Sequence, residues 1–527
     1  MKPKVLISDA LSTSAVKIFE DRGISVDLKV GLKPEELKGI IGDYDGLAIR
    51  SATKVVADVM AAATKLKVVG RAGIGVDNVD VPAATARGIV VMNTPFGNSI
   101  TTAEHAIALM FALARQLPAA NASTHAGKWE KSKFMGVELT GKTLGIIGCG
   151  NVGSIVAERA LGLKMKVVAF DPFLTPERAQ KIGVEKAELD DIFKRADFIT
   201  LHTPLTDQTR NIIDAKALSK CKKGVRIINC ARGGLIVETD LKAALESGQV
   251  AGAALDVFIE EPAKQNVLFG MENVVCTPHL GASTTEAQEN VALQIAEQMS
   301  DFLLTGAVTN ALNMPSVSAE DAPKLKPYMK LAEQLGSFAG QITQSAIKSV
   351  SAEYEGHAAS LNVRPLNNVL LMGLLRPSLD LVNMVNAPVI ARDRGVKVSE
   401  TKREDSGDYQ TLMRLALETE GGTLRLAGTL FSGKPRIVGI DDVTLEAELT
   451  PRMLFVRNED KPGFIGRLGT ALGAVKINIA NFTLGRSKPG ANAVCLVSID
   501  GDIPEAVMAE IRKLPGVVGV YALKFEA

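Results

Sequence analysis

The sequence predicts an α/β fold: a doubly wound domain inserted into another α/β domain, followed by further mixed units. Three observations predict it. Short apolar strands alternate with helical patterns from the first residues, the pattern that parallel, doubly wound sheets produce. A glycine-rich turn, Gly148-Cys149-Gly150-Asn151-Val152-Gly153, lies between a strand and a helix near residue 150 rather than near the N-terminus. The chain closes with the order strand, helix, strand, strand, helix, strand from about Met453.

At 527 residues the chain is too long for one core and implies three or four domains. Val5 to Ile7 reads as a first strand and Ser12 to Arg22 as a helix that Gly23 ends. Leu47 to Ile49 and Val68 to Val69 read as buried strands. Thr101 to Leu117 reads as a helix, with Thr101 and Glu104 as a capping box and Gln116-Leu117-Pro118 as its close. From Lys142 the rhythm restarts and runs to about Pro278. A second capping box, Ser283 with Glu286, opens a helix toward Phe302 that returns the chain to the first domain. Asn310 to Pro327, with three prolines, reads as a linker.

Composition excludes several classes. A net charge of +1 gives no broad footprint for nucleic acid. No run approaches the length of a membrane span, and the first ten residues are too short in apolar content for a signal segment, so the expected location is cytoplasmic. Five scattered cysteines, Cys149, Cys221, Cys230, Cys276 and Cys495, contain no C-x-x-C pair. Neither a structural metal site nor a disulfide framework is expected.

The glycine turn carries chemistry because of its context. Thr143 to Ile147 leads in as a strand and Val152 to Leu163 leads out as a helix. Gly148 permits the tight turn, Gly150 lets backbone approach a pyrophosphate, and Gly153 lets helix and strand pack closely. Helix N–H groups then face the phosphates. Asp171, ending the next strand (Val167 to Phe170), suits ribose hydroxyls and repels a 2′-phosphate, which favours NAD over NADP.

Hydride transfer from a 2-hydroxy acid needs a base, a cation for the carboxylate and a neighbour that tunes the base. Arg232 in NCARGGLIVE, Glu261 in LDVFIEEP and His279 in VVCTPHLGAST each follow a predicted parallel strand (Val225 to Ile228, Ala253 to Asp256 and Val274 to Cys276), at the edge where such sheets bind ligands. His105 and His357 read as structural, and His125 and His202 are not assigned as the base.

Together the glycine turn, NCARGG, EEP and TPHLGAS resemble the D-isomer-specific 2-hydroxyacid dehydrogenase family over roughly residues 1 to 312. The resemblance implies a Rossmann-type NAD domain, 98–282, inserted in a flavodoxin-like substrate domain, 1–97 and 283–312. It implies Arg232 as carboxylate binder, Glu261 as partner of the base and His279 as acid/base. It adds Asn151, Val152, Thr203, Cys230 and Asp256 as cofactor contacts. Family members often carry Thr where Ile74 stands, so one cofactor contact is expected to be missing.

Arg50, Arg71 with the Gly-rich turn Ala72 to Gly75, and Asn98 supply donors that suit a phosphorylated acid. Lys131 and Lys133 resemble a basic stretch that family members place near a neighbouring subunit's site. Residues 450–527 resemble an ACT domain, with the Asp460 to Gly463 loop, Pro462 in the first helical turn, and Asn478 and Asn481 on the next strand facing an effector across a dimer interface. Residues 313–449 resemble the α+β intervening regulatory domain of long-form phosphoglycerate dehydrogenases. That resemblance implies 3-phosphoglycerate as substrate, L-serine as effector and a homotetramer. Glyoxylate or hydroxypyruvate reductases and NAD-sensing corepressors of the same fold remain alternatives at this point, as does an ACT module that binds another amino acid or serves only for assembly.

Overall fold

The computed structural model describes residues 2–318, 320–379 and 381–525, so Met1, Ala319, Asp380, Glu526 and Ala527 of the expected domains lie outside the described residues. Five short strands, β1 (Lys4–Ile7), β2 (Ser25–Leu28), β3 (Gly46–Ile49), β4 (Val68–Arg71) and β5 (Val90–Asn93), form a parallel sheet in the order β2-β1-β3-β4-β5. This is the flavodoxin order. Its central strands are apolar because helices cover both faces.

Seven more strands follow: β6 (Thr143–Ile147), β7 (Lys166–Phe170), β8 (Glu185–Lys186), β9 (Phe198–Leu201), β10 (Val225–Asn229), β11 (Val250–Leu255) and β12 (Val274–Cys276). Their order, β12-β11-β10-β9-β6-β7-β8, is the doubly wound nucleotide-binding topology with one added strand. The order reverses at β6 and β9, so a crevice opens at their carboxyl ends. The helix Thr285–Thr305 then returns to the first sheet. Gly46 and Gly70 make room for it: a Cβ on Gly70 would lie 2.2 Å from Met299 Sδ.

A six-stranded sheet follows, β13 (Ile347–Gly356), β14 (Lys397–Arg403), β15 (Thr411–Thr419), β16 (Gly422–Phe431), β17 (Lys434–Ile440) and β18 (Val443–Ala447), with the helices Ala322–Ile342 and Arg364–Leu375 packed against it. The helices cross closely because Gly336, Gly340 and Gly373 sit at the crossing, where a Cβ on Gly336 would meet Leu370 O at 2.1 Å. The last unit has β19 (Arg452–Glu459), β20 (Asn478–Arg486), β21 (Asn492–Asp500) and β22 (Val517–Lys524) in the order β20-β21-β19-β22, the ferredoxin-like arrangement. One hydrophobic core runs across these two units, where Phe338 meets Phe455 edge-on at 5.1 Å. Among the described residues no helix is long and apolar enough to cross a membrane.

Five local expectations are corrected. The helix read from Thr101 begins at Ser99, and its cap residue Asn98 makes no side-chain cap bond. Its start is fixed by the crossing from β5, where Gly97 presses on Val291 and Thr101 meets Thr284 at 3.3 Å. Gln116 ends it in the left-handed region, but Pro118 opens a second helix, Leu117–His125, since proline suits a first turn. The cap of the return helix is Thr284, whose hydroxyl accepts from Ala287 N, rather than Ser283. The expected linker is shorter than 310–327: Pro323 and Pro327 lie inside the helix Ala322–Ile342, and Asn313 ties the preceding segment to Val91 N and Ile89 O. In the last unit Pro462 precedes the helix Phe464–Ala474, which starts after Gly463 at φ 88°.

Candidate active site

The glycine turn is built as its spacing requires. Gly148 has φ 93°, and a Cβ there would lie 2.5 Å from His202 O. A Cβ on Gly153 would lie 2.0 Å from Gly148 O, whereas one on Gly150 would meet nothing within 4 Å. Gly150 therefore presents open backbone, and the helix Asn151–Gly162 that it caps has no side-chain cap for its first N–H groups. Asp171 braces the turn: Oδ2 accepts from Cys149 N at 2.8 Å and Oδ1 from Phe173 N at 2.8 Å. An uncapped helix start, an open glycine edge and an adjacent carboxylate fit a dinucleotide pyrophosphate and ribose. Asn151 reaches back to Pro95 O at 3.4 Å, and Val152 and Thr203 are half-buried beside the crevice.

Two expected cofactor contacts look inward instead. Cys230 is buried, its side chain packed in the apolar core of the second domain. Asp256 is fully buried, and its carboxylate accepts from Thr277 Oγ1 at 2.6 Å, Leu280 N at 2.7 Å and Gly281 N at 2.8 Å. It holds the loop that carries His279. His105 also reaches this carboxylate, at 3.2 Å. Burial opposes its charge, but these hydrogen bonds outweigh it and hold Asp256 below the usual carboxylate range.

His279, Glu261 and Arg232 converge at the carboxyl ends of β10 to β12. His279 Nδ1 lies 2.6 Å from Glu261 Oε2, and Glu261 Oε1 accepts from Phe258 N at 3.0 Å. The hydrogen bond to Glu261 raises the imidazole above its ordinary range, against the pull of burial. With Nδ1 engaged, Nε2 is the ring nitrogen left for a substrate hydroxyl. Arg232 donates from Nε to Asp77 at 3.0 Å and from Nη1 to Ala231 O at 2.7 Å. Its Nη2 lies against Gly75, where a Cβ would come within 1.8 Å.

The turn Ala72 to Gly75 lies between two guanidinium groups, because Arg71 packs on Gly73 as Arg232 packs on Gly75. Thr94 Oγ1 accepts from Gly73 N at 2.7 Å and Asn93 donates to Ile74 O at 2.6 Å, so the turn keeps its shape with Ile74 in place. Arg71 is pushed down to about 10 by burial and by the charges of Arg232 and Arg50, which Asp77 and Asp9 only partly offset. Its Nε is buried without a hydrogen-bond partner, as is Asn98 Oδ1. The Arg50 backbone is held by Asp9 Oδ2 at 2.6 Å and by Asn78 at 2.7 Å, two supports that sequence pattern did not single out. Such partners lie far apart in the chain and leave no local periodicity; only an Asp just past β1 and an Asn in the loop after β4 could have hinted at them.

Other expected residues lie elsewhere. Lys133 reaches Glu272 at 3.8 Å, just before β12 and so at its far end from His279. Asp460 accepts from Arg486 and Gly490 N at 2.8 and 3.1 Å, while Asn478 donates to Asp500 at 2.8 Å and Asn481 accepts from Phe482 N. Arg486 and Asn478 are opposite ends of β20. A single chain therefore does not bring Asp460 and Gly463 together with Asn478.

Comparison with known proteins agrees with this architecture. Residues 107–281 match the D-isomer specific 2-hydroxyacid dehydrogenase NAD binding domain, 324–441 the D-3-phosphoglycerate dehydrogenase intervening domain and 452–516 the ACT domain. The chain is 44% identical to the D-3-phosphoglycerate dehydrogenase of Synechocystis sp. over 99% of its length and 94% of the relative. It is 43% identical to that of Archaeoglobus fulgidus, over 98% of both chains, and 40% identical to that of Bacillus subtilis, again over 98% of both. A glyoxylate reductase from Paecilomyes thermophila superposes with TM-score 0.55 at 28% identity, over 59% of this chain and 98% of the other. The apo-structure of D-lactate dehydrogenase from Escherichia coli gives 0.53 at 27%, over 59% and 99%. Full-length identity, the intervening domain and the ACT domain together place the chain in the D-3-phosphoglycerate dehydrogenase family of NAD-dependent D-isomer-specific 2-hydroxyacid oxidoreductases.

Proposed function

We propose that the protein oxidises 3-phospho-D-glycerate to 3-phosphohydroxypyruvate, the first step of L-serine biosynthesis, in the cytoplasm. The observation that carries this reading is the cluster of Arg50, Arg71 and Arg232 around one glycine turn, with Arg71 Nε buried and unpaired. Cations brought that close, with a donor left over, call for an anion carrying more charge than a lone carboxylate.

NAD, when bound, would supply the hydride acceptor, and the Gly148–Gly153 turn with Asp171 would hold it. His279 takes the substrate hydroxyl proton at Nε2, and Glu261 fixes the ring through Nδ1. Arg232 holds the carboxylate through the Nη2 edge beside Gly75. Arg50, Arg71 and Asn98 hold the phosphate end. In this reading the substrate domain spans 1–97 and 283–312, the NAD domain 98–282, the intervening domain 313–449 and the ACT domain 450–527. The chain works as a homotetramer, and L-serine binds where the Asp460–Gly463 loop of one ACT domain faces Asn478 and Asn481 of another.

NADH oxidation with 3-phosphohydroxypyruvate, glyoxylate and hydroxypyruvate tests the substrate. A preference of about 10²-fold or more in kcat/KM for the phosphorylated acid is expected, the loss of a charge-assisted set being worth several kcal/mol. Equal rates would make the protein a general 2-hydroxyacid reductase. Adding millimolar L-serine tests the effector: inhibition is expected, and unchanged rates would remove serine from the reading.

A further inference from the structure

We propose that His105 is a positioning residue for His279, acting through the buried carboxylate of Asp256. The inference rests on the reading of His279 as acid/base. His105 lies on the helix Ser99–Arg115, which begins where the chain crosses from the first sheet into the second domain. Its Nε2 is 3.2 Å from Asp256 Oδ1 and 3.2 Å from Thr277 Oγ1. An ionised carboxylate only accepts, so Nε2 carries the proton, and the Thr277 hydroxyl that donates to Asp256 at 2.6 Å can also receive from it.

Asp256 grips the loop on both sides of His279. Thr277 lies two residues before it, and Leu280 and Gly281 directly follow; all three donate to this one carboxylate. The Asp256 carbonyl accepts from His279 N itself at 2.9 Å. His279 has φ 56°, a left-handed conformation that a side-chain-bearing residue keeps only where its surroundings impose it. Among the described residues, His105 is the only side chain from outside the loop that hydrogen-bonds this carboxylate. It therefore ties the His279 loop to the helix that leads in from the substrate domain, and with it the distance between base and substrate. The titratable and charged groups facing His279 are Glu261, Asp256 and Arg232. Those facing Asp256 are His105, His279, Glu261 and the Cys230 thiol.

The test compares wild type, His105→Leu, His105→Gln and His279→Ala, each with NADH and 3-phosphohydroxypyruvate, following kcat, KM, the pH profile and Tm. In His105→Leu, kcat is expected to fall about 10- to 100-fold, the scale of a small misplacement of a reacting group. KM should change little, and the limb belonging to His279 should move to lower pH as the ring loosens from Glu261. His105→Gln, which keeps a donor, should recover most of kcat. Wild-type kcat and an unmoved limb in His105→Leu would overturn the proposal. So would equal losses of kcat and Tm in the Leu and Gln variants with an unmoved limb, which would make His105 a packing residue only. His279→Ala separates the two readings: retained turnover there overturns His279 as the base, whereas an inactive His279→Ala beside a silent His105→Leu overturns the role of His105 alone.

Discussion

Arg232 and Asp77 join across the cleft: a guanidinium at the end of β10 donates from Nε, at 3.0 Å, to a carboxylate in the turn that follows β4. The pair links the first α/β domain to the second. Asp77 is 70% exposed, so the pair itself contributes little to stability, about 0–1 kcal/mol. Asp77→Asn is expected to leave Tm nearly unchanged in a thermal melt. Arg232→Ala should lower kcat/KM about 10²- to 10³-fold, as removal of a carboxylate's charged partner does. Arg232→Lys should recover only part of this, because an ammonium cannot form the planar fork. Steady-state kinetics on both Arg232 variants checks the point.

The pH dependence has a definite sign. Glu261 raises the folded-state affinity of His279 for a proton. Oxidation needs the neutral ring, so its rate should rise with pH through that raised value; reduction needs the protonated ring and should fall through it. Glu261→Gln removes the carboxylate, so both limbs should shift to lower pH and kcat should drop. A profile of kcat/KM against pH, in both directions, reads this directly.

His279→Ala should lose about 10²- to 10⁴-fold in kcat, the usual span for a general acid–base group. NADH affinity, followed by fluorescence, should stay close to wild type.

Arg71 offers a specificity test. Arg71→Met keeps much of the stem and removes the charge, which relieves the crowding of cations and also the expected phosphate contact. The variant should lose most of its preference for phosphorylated over unphosphorylated hydroxypyruvate while its rate with the latter is retained. Competition between the two keto acids in one assay measures the ratio.

Gly153 tests the nucleotide turn. A Cβ there would fall 2.0 Å from Gly148 O, a backbone atom that cannot move aside without opening the turn. Gly153→Ala should cost about 1–3 kcal/mol of stability, as overpacking does, and weaken NADH binding more than tenfold. Denaturant melts and NADH titration separate the two effects.

Much of this was legible in the chain. Strand–turn–helix around Gly148–Gly153 declares itself, since only glycines satisfy those close approaches. Thr143–Ile147 and Val274–Cys276 were bounded correctly because apolar runs end there in turn residues. The helix start at Ser99 was not legible, because the crossing from β5 and the contact of Gly97 with Val291 set it, not a local cap. Ser283 and Thr284 are adjacent hydroxyl residues, and Glu286 favours Ser283 in sequence, so only backbone geometry shows that Thr284 is the cap. His105 read as structural because nothing near it in sequence shows that Asp256 lies beneath it. The inward turn of the Asp256 and Cys230 side chains was hidden for the same reason: strand alternation does not say which residue at a strand end faces the crevice.

The shared core that links Phe338 to Phe455 means that the final two units are not a sensor hung on a hinge. Gln341 stitches both the N–H and the carbonyl of Lys524 to the helix Ala322–Ile342, at 2.8 Å each. That helix is locked against Arg364–Leu375 at its glycine crossing, and the loop beyond carries Asn386, which donates to Ala86 O at 3.2 Å on the first domain. The helix Val81–Ala86 is capped by Asp80, three residues after Asp77. The terminal sheet is thus joined, through the two crossed helices and Asn386, to the element that follows the turn bearing Asp77.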